Sequence, residues 1–174
     1  ALANAHLPVL RHFDDELHAE LCGIAEGADL SPAHVVLVNH YTDLRDLSRR
    51  HLDEATPQDP GGCSVLFAPT AQGPMLGQTW DMHGSAIDHV VMLAVDDEMD
   101  RSSRKTVLFS IAGCLGMTGM SSQGLGISIN NLNSLDAKIG VVWPAIVRKA
   151  LRQRSAGDAH DVVHEPLVGV VPVG

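Results

Sequence analysis

Aromatic side chains are scarce in this chain: Phe, Tyr and Trp together make up 3% of its 174 residues. A core must therefore be filled by Val, Leu, Ile, Ala and Met. Positive charge is short as well. Lys and Arg number 12 against 21 Asp and Glu, for a net charge of −9. That balance disfavours nucleic acid and anionic membrane surfaces as partners, since both need basic patches. Cysteine is limited to Cys22, Cys63 and Cys114. An odd number without regular spacing is not a disulfide framework, and it points to a reducing, cytoplasmic compartment. No apolar run approaches the ~20 residues that cross a bilayer, so no membrane is implied. No signal peptide is visible, and the chain opens on Ala1 rather than an initiator Met, so it reads as a piece of a longer product. The phosphate-loop pattern GxxxxGK[ST] is missing. What remains is 45% apolar and 19% charged, a globular balance at a length that supports one domain with a core.

Two short runs rich in apolar and β-favouring residues lie near the middle, Ser64 to Pro69 and Met75 to Trp80. Between them, Thr70-Ala71-Gln72-Gly73-Pro74 is turn chemistry, which predicts a hairpin. If the hairpin is centred on Gln72, Cys63 faces Asp81, about 5 Å away between Cβ atoms. One residue of slip would send the two side chains to opposite faces. The pair Gly61-Gly62 in front of Cys63 suits a self-cleavage. The thiol can attack the Gly62 carbonyl, which has no Cβ beside it to block approach, and the thioester is then hydrolysed. Cys63 would be left with a free α-amine, whose ordinary pKa of about 8 lets it serve as base for its own thiol. The same Gly-Cys pair is equally compatible with a small buried cysteine at a strand edge.

Around this centre, residues 11–28 have helical spacing of Phe13, Leu17, Leu21 and Ile24. Ser31-Pro32 predicts a second helix start, running to about Leu44. From Ser48 to Gly62, two prolines and two glycines predict a loop or linker. Strands are expected over His89–Val95, Thr106–Ile111 and Leu125–Asn130, with an acidic turn after the first. Five glycines between Ala112 and Gly126 imply tight turns and close backbone approach. Val141–Arg154 is the clearest helix, with Trp143, Ile146, Val147, Ala150 and Leu151 as its apolar stripe. Arg148, Lys149, Arg152 and Arg154 fill the rest of that helix and read as a solvated face. Residues 157–163 open another helix, and the tail to Gly174 is apolar and expects a partner. His160, His164 and Glu165 could share a helix face, but no third metal ligand is identifiable, so no metal site is assigned. The acidic turn at 96–100 lacks the alternation of a calcium loop.

Three segments carry a family resemblance: CGIAEGADLSPAHVVLVNHYTDL, GGCSVLFAPTAQGPMLGQTWDMHGSA and GMSSQGLGISINNL. They resemble the isopenicillin N acyltransferase family, a cysteine branch of the N-terminal nucleophile (Ntn) hydrolases. The most specific part is GCS followed by GQTWD at the family's interval. The resemblance implies that Cys63 is the autoproteolytic and catalytic nucleophile, that the cut falls between Gly62 and Cys63, and that Asp81 orients the site. It makes Tyr41, Trp80 and Asn130 candidate pocket residues. It also implies an α+β fold of αββα layers, an antiparallel sheet packed with helices, of which this chain carries the first half. On that reading residues 1–62 form a helical pro-segment and 63–174 the start of the catalytic region. A further catalytic asparagine of the family lies beyond the matched segments and is not assigned.

The expected function is an autoproteolytic cysteine acyltransferase or amidohydrolase. It would act on an acyl thioester or N-acyl amide through a Cys63 acyl-enzyme. Its partner is a small-molecule acyl donor or amide, and no metal or organic cofactor is needed. A self-cleaved two-chain form or a homo-oligomer is compatible with it. The alternative is a catalytically incomplete, partner-binding module whose sheet edges and apolar face stay open.

Overall fold

The structure, a computed structural model, describes residues 1–44, 62–97, 104–131 and 138–168. These residues are α+β: helices α1 (His6–Phe13), α2 (Asp15–Gly27), α3 (Pro32–Asn39), α4 (Trp143–Leu151) and α5 (Ala156–Val168), with six strands. The linker expected before Cys63 falls on residues outside the described set up to position 61, as do most of the acidic turn and the end of the tail. No single helix is long and apolar enough to cross a membrane among the described residues.

The first expected helix is two. Asp14 leaves the helical region and caps α2, its Oδ1 accepting from Leu17 N at 2.9 Å. A side chain that can hold an orphan N–H restarts a helix rather than continuing one. The second expected helix stops at Asn39, because His40 takes φ −137° and ψ 27°; a helical turn resumes over 41–44. Ser31 stands at the start of α3, but its hydroxyl accepts no backbone N–H as a cap and meets His34 Nδ1 at 3.1 Å instead.

Strands β1 (Val65–Thr70) and β2 (Gly73–Gln78) form the hairpin. Its register differs from expectation. Val65 faces Gln78 and Thr70 faces Gly73, so the loop is the two residues Ala71-Gln72. The turn closes early because Thr70 Oγ1 donates to Gly73 O at 2.6 Å and accepts from Gln72 N at 3.2 Å. Gly73 sits at φ +119°, a region open to glycine. Carried on through the Thr79 N to Ser64 O bond of 2.9 Å, this register sets Cys63 opposite Trp80, not Asp81.

Strands β3 (Val90–Asp97), β4 (Arg104–Ile111), β5 (Thr118–Ser121) and β6 (Gly126–Ile127) make one antiparallel sheet in that order. β5 lies inside the stretch read as glycine-rich turns. Gly119 is what lets it pair: a Cβ there would stand 2.2 Å from Val107 O. The expected strand to Asn130 shortens to two residues. Along β4 the pleat buries Thr106, Leu108 and Ser110, while Val107 stays exposed. Leu108 packs with Val147 and Leu151 of α4, so helices cover one face of the sheet. The larger core, including Leu10, Leu17, Leu21, Val36, Val142 and Ala145, lies among the helices and joins Leu115. The opposite sheet face, with Met92 at 64% and Met120 at 63% exposure, has no covering layer among the described residues.

Candidate active site

One cavity of about 260 Å³ gathers residues that are far apart in sequence. Tyr41, Cys63, Trp80 and Asn130 all line it. The half-buried Cys63 enters from the start of β1. Trp80 lies across the hairpin from it and stands edge-on to Phe109 of β4, with ring centroids 5.4 Å apart. Such T-shaped contact fixes a ring by its quadrupole as well as its area.

Asp81 is not in this wall. It is exposed and does not line the cavity. The two-residue turn explains the difference: a slip of one residue exchanges faces along a strand. The carboxylate that does line the cavity is Asp43, beside Thr42, whose hydroxyl donates to Asp43 Oδ2 at 3.2 Å.

Two members of the wall have roles that the sequence did not announce. Gln78, within GQTWD, is one. Its Nε2 donates to Ile129 O and its Oε1 accepts from Ile129 N, each at 2.9 Å. A carboxamide thus takes the place of a strand partner and holds the segment that presents Asn130 and Asn131 to the cavity. Asn39 is another. Buried at the end of α3, it donates to Val35 O and Gly113 O, each at 2.8 Å, and accepts from Leu115 N at 2.9 Å. It therefore clamps the loop that carries Cys114 and Met117 into the same cavity. The run Asn39-His40-Tyr41-Thr42-Asp43 reads in the sequence as candidate pocket wall, but nothing in it announces the clamping bonds of Asn39.

Cys114, a second thiol in this wall, has a different environment from Cys63. It is buried, and loss of solvent pushes its pKa up to about 12. Its Sγ donates to Val38 O at 3.4 Å. A thiol held protonated is a poor nucleophile.

Arg148 is also not where the sequence put it. It is buried rather than solvated, with NH1 and NH2 donating to Glu20 Oε1 and Oε2 at 2.7 and 2.9 Å, and NH1 also donating to Leu115 O at 2.7 Å. It braces the Cys114 loop at the Leu115 carbonyl. Lys149 donates to Phe13 O at 2.9 Å and lies over the Phe13 ring at 4.0 Å. These cations serve helix packing, not an anionic substrate.

Two histidines lie buried behind the wall. His6 and His40 meet edge to face at 4.7 Å between centroids. His6 Nδ1 bonds Gly140 O at 2.8 Å. His40 Nδ1 is 3.4 Å from Asp43 Oδ2 but outside hydrogen-bond geometry. Burial, then the neighbouring His6, hold His40 down to about 3, so it is neutral. Elsewhere, His160 and His164 pair on an exposed face at 3.0 Å, and no group of three metal-ligating side chains occurs among the described residues.

No family model matches the chain. It is similar to the 40 kDa form of acyl-coenzyme A:6-aminopenicillanic-acid acyltransferase from Emericella nidulans, at 25% identity over 148 residues. That match covers 84% of this chain and 38% of the relative, so the chain spans well under half of that protein's length. The relationship to that acyltransferase is a distant one.

Proposed function

We propose that this chain is an acyltransferase or amidohydrolase that works through a thioester on Cys63, after scission of the Gly62–Cys63 bond. The observation that carries the reading is the meeting of Cys63, Trp80, Tyr41 and Asn130 in one cavity, with a distant acyltransferase relative beside it. In the first step Sγ attacks the Gly62 carbonyl carbon. The Gly62–Cys63 C–N bond breaks, and the nitrogen takes the thiol proton. Water then cleaves the thioester, leaving a Gly62 carboxylate and a Cys63 with free amine and thiol. That amine accepts the thiol proton as Sγ attacks an acyl donor, and returns it to the leaving thiol or amine. An amine or water finally takes the acyl group from sulfur.

The cavity combines the aromatic and aliphatic side chains of Trp80, Trp143, Ile111 and Met117 with the polar Thr42, Asn130 and Asn131. Such a lining suits an apolar acyl group with a polar head. Family resemblance gives the orienting carboxylate as Asp81. In the uncut chain Asp81 faces away, so serving the new amine requires the freed strand end to turn. Asp43 is already in the wall.

Mass spectrometry of the purified protein tests the reading. The expected products are residues 1–62 and 63–174, and Cys63→Ala stays whole. A thiol-directed acylating reagent should mark Cys63 and spare Cys114. An intact wild-type chain whose Cys63 resists such reagents would favour the non-catalytic alternative.

A further inference from the structure

A second hollow, about 330 Å³, lies on the uncovered face of the sheet, between the hairpin and strands β4 to β6. It shares Gln78, Trp80 and Thr118 with the Cys63 cavity, so the two spaces border on the same three residues. Among the described residues no charged side chain lines it; Leu76, Phe109, Met120 and Ile127 are among its apolar lining. Gly126 forms part of the wall, where a Cβ would come within 3.2 Å of Leu76 Cδ2. The first cavity, by contrast, includes the polar Thr42, Asp43, Asn130 and Asn131 in its lining.

We infer that this groove is the subsite for the distal part of a long, unbranched acyl chain, whose carbonyl carbon sits at Cys63 Sγ. The inference rests on the thioester reading and adds the substrate class to it. The occupant is an alkyl chain because the groove adjoins the thiol's cavity at Trp80 and, among the described residues, has no charged group in its lining. The cavity of about 260 Å³ holds the carbonyl and the first methylenes, and the groove takes what extends beyond. Burying each added methylene favours binding by roughly threefold to fourfold.

The experiment compares butanoyl, octanoyl and dodecanoyl thioesters of N-acetylcysteamine, with Cys63 acylation followed by mass spectrometry. The rate should climb with chain length, dodecanoyl exceeding butanoyl by at least about tenfold. Met120→Lys puts a charge at the groove, and Gly126→Val fills its wall; each should bring the dodecanoyl-to-butanoyl ratio toward one. A second arm uses Cys63→Ala and the quenching of Trp fluorescence by bromine-labelled dodecanoic acid, which Met120→Lys should weaken. A flat chain-length profile, or a rising one that neither groove variant changes, overturns the subsite. Quenching that Met120→Lys weakens, without acylation of wild-type Cys63 by any donor, supports the groove and sinks the thioester chemistry. Absence of both acylation and quenching overturns both.

Discussion

Asn39 does at one position what a strand would do over several. Two of its three hydrogen bonds tie the end of α3 to Gly113 and Leu115, the third goes to Val35 O within the helix, and its side chain is buried. Truncation would leave the Leu115 N–H and the Val35 and Gly113 carbonyls each short of a partner at a buried edge of the cavity, a penalty larger than the bonds' net contribution. Asn39→Ala should therefore lower stability by about 2–3 kcal/mol in urea denaturation. It should also unfasten Cys114, whose Sγ is placed by Val38 O on the same turn. The expected sign is faster alkylation of Cys114 in Asn39→Ala than in wild type; an unchanged rate would show that the loop is held by Arg148 alone. The identity of Asn39 was not readable as a clamp from sequence. Two of its three partners are backbone groups 74 and 76 residues away, and no spacing announces a contact of that kind.

At the scale of elements, the hairpin and α4 were legible because their side chains follow one period each. β1 and β2 combine β-favouring residues with a turn, and α4 has an apolar stripe at helical spacing. Register was not legible, since it depends on whether the turn closes over two residues or three. Here the Thr70 hydroxyl decides, and the consequence falls at the far end, where Trp80 replaces Asp81 opposite Cys63. β5 was hidden for a different reason: glycine at 119 marks backbone contact with β4, but glycine is depleted in strands generally. The link between hairpin and sheet is narrower than either. It consists chiefly of the Gln78–Ile129 pair and the Trp80–Phe109 contact. Gln78→Leu keeps the bulk and removes both hydrogen bonds. Hydrogen exchange at the Ile129 amide should accelerate by about tenfold or more, while the amides of β3 and β4 keep their protection. Equal acceleration throughout the sheet would mean that the hairpin is part of one cooperative unit with it.

Across the whole molecule, the helical layer is closed by a pair of neutral histidines, and this gives stability a dependence on pH. His6 belongs to α1, and its ring bonds Gly140 just before α4; His40 ends α3. Both are held below the usual imidazole value by burial, and His40 lies at about 3. Asp43 faces His40 at 3.4 Å, yet desolvation and the second ring outweigh it. With a folded value below the unfolded 6.5, the unfolded chain binds the extra proton. Stability is thus fully present above pH 6.5 and drains as pH falls toward 3. Between pH 7 and 5, before carboxylates titrate, His40 alone should remove about 2 kcal/mol. Urea midpoints measured across that interval check the figure. His40→Gln carries no titrating ring, so its curve should be flatter than wild type by that amount, even if it is less stable at pH 7. Parallel curves for the two proteins would mean that His40 gains its proton without unfolding. The closure of the helices would then rest on Asn39 and Arg148 rather than on the buried ring pair.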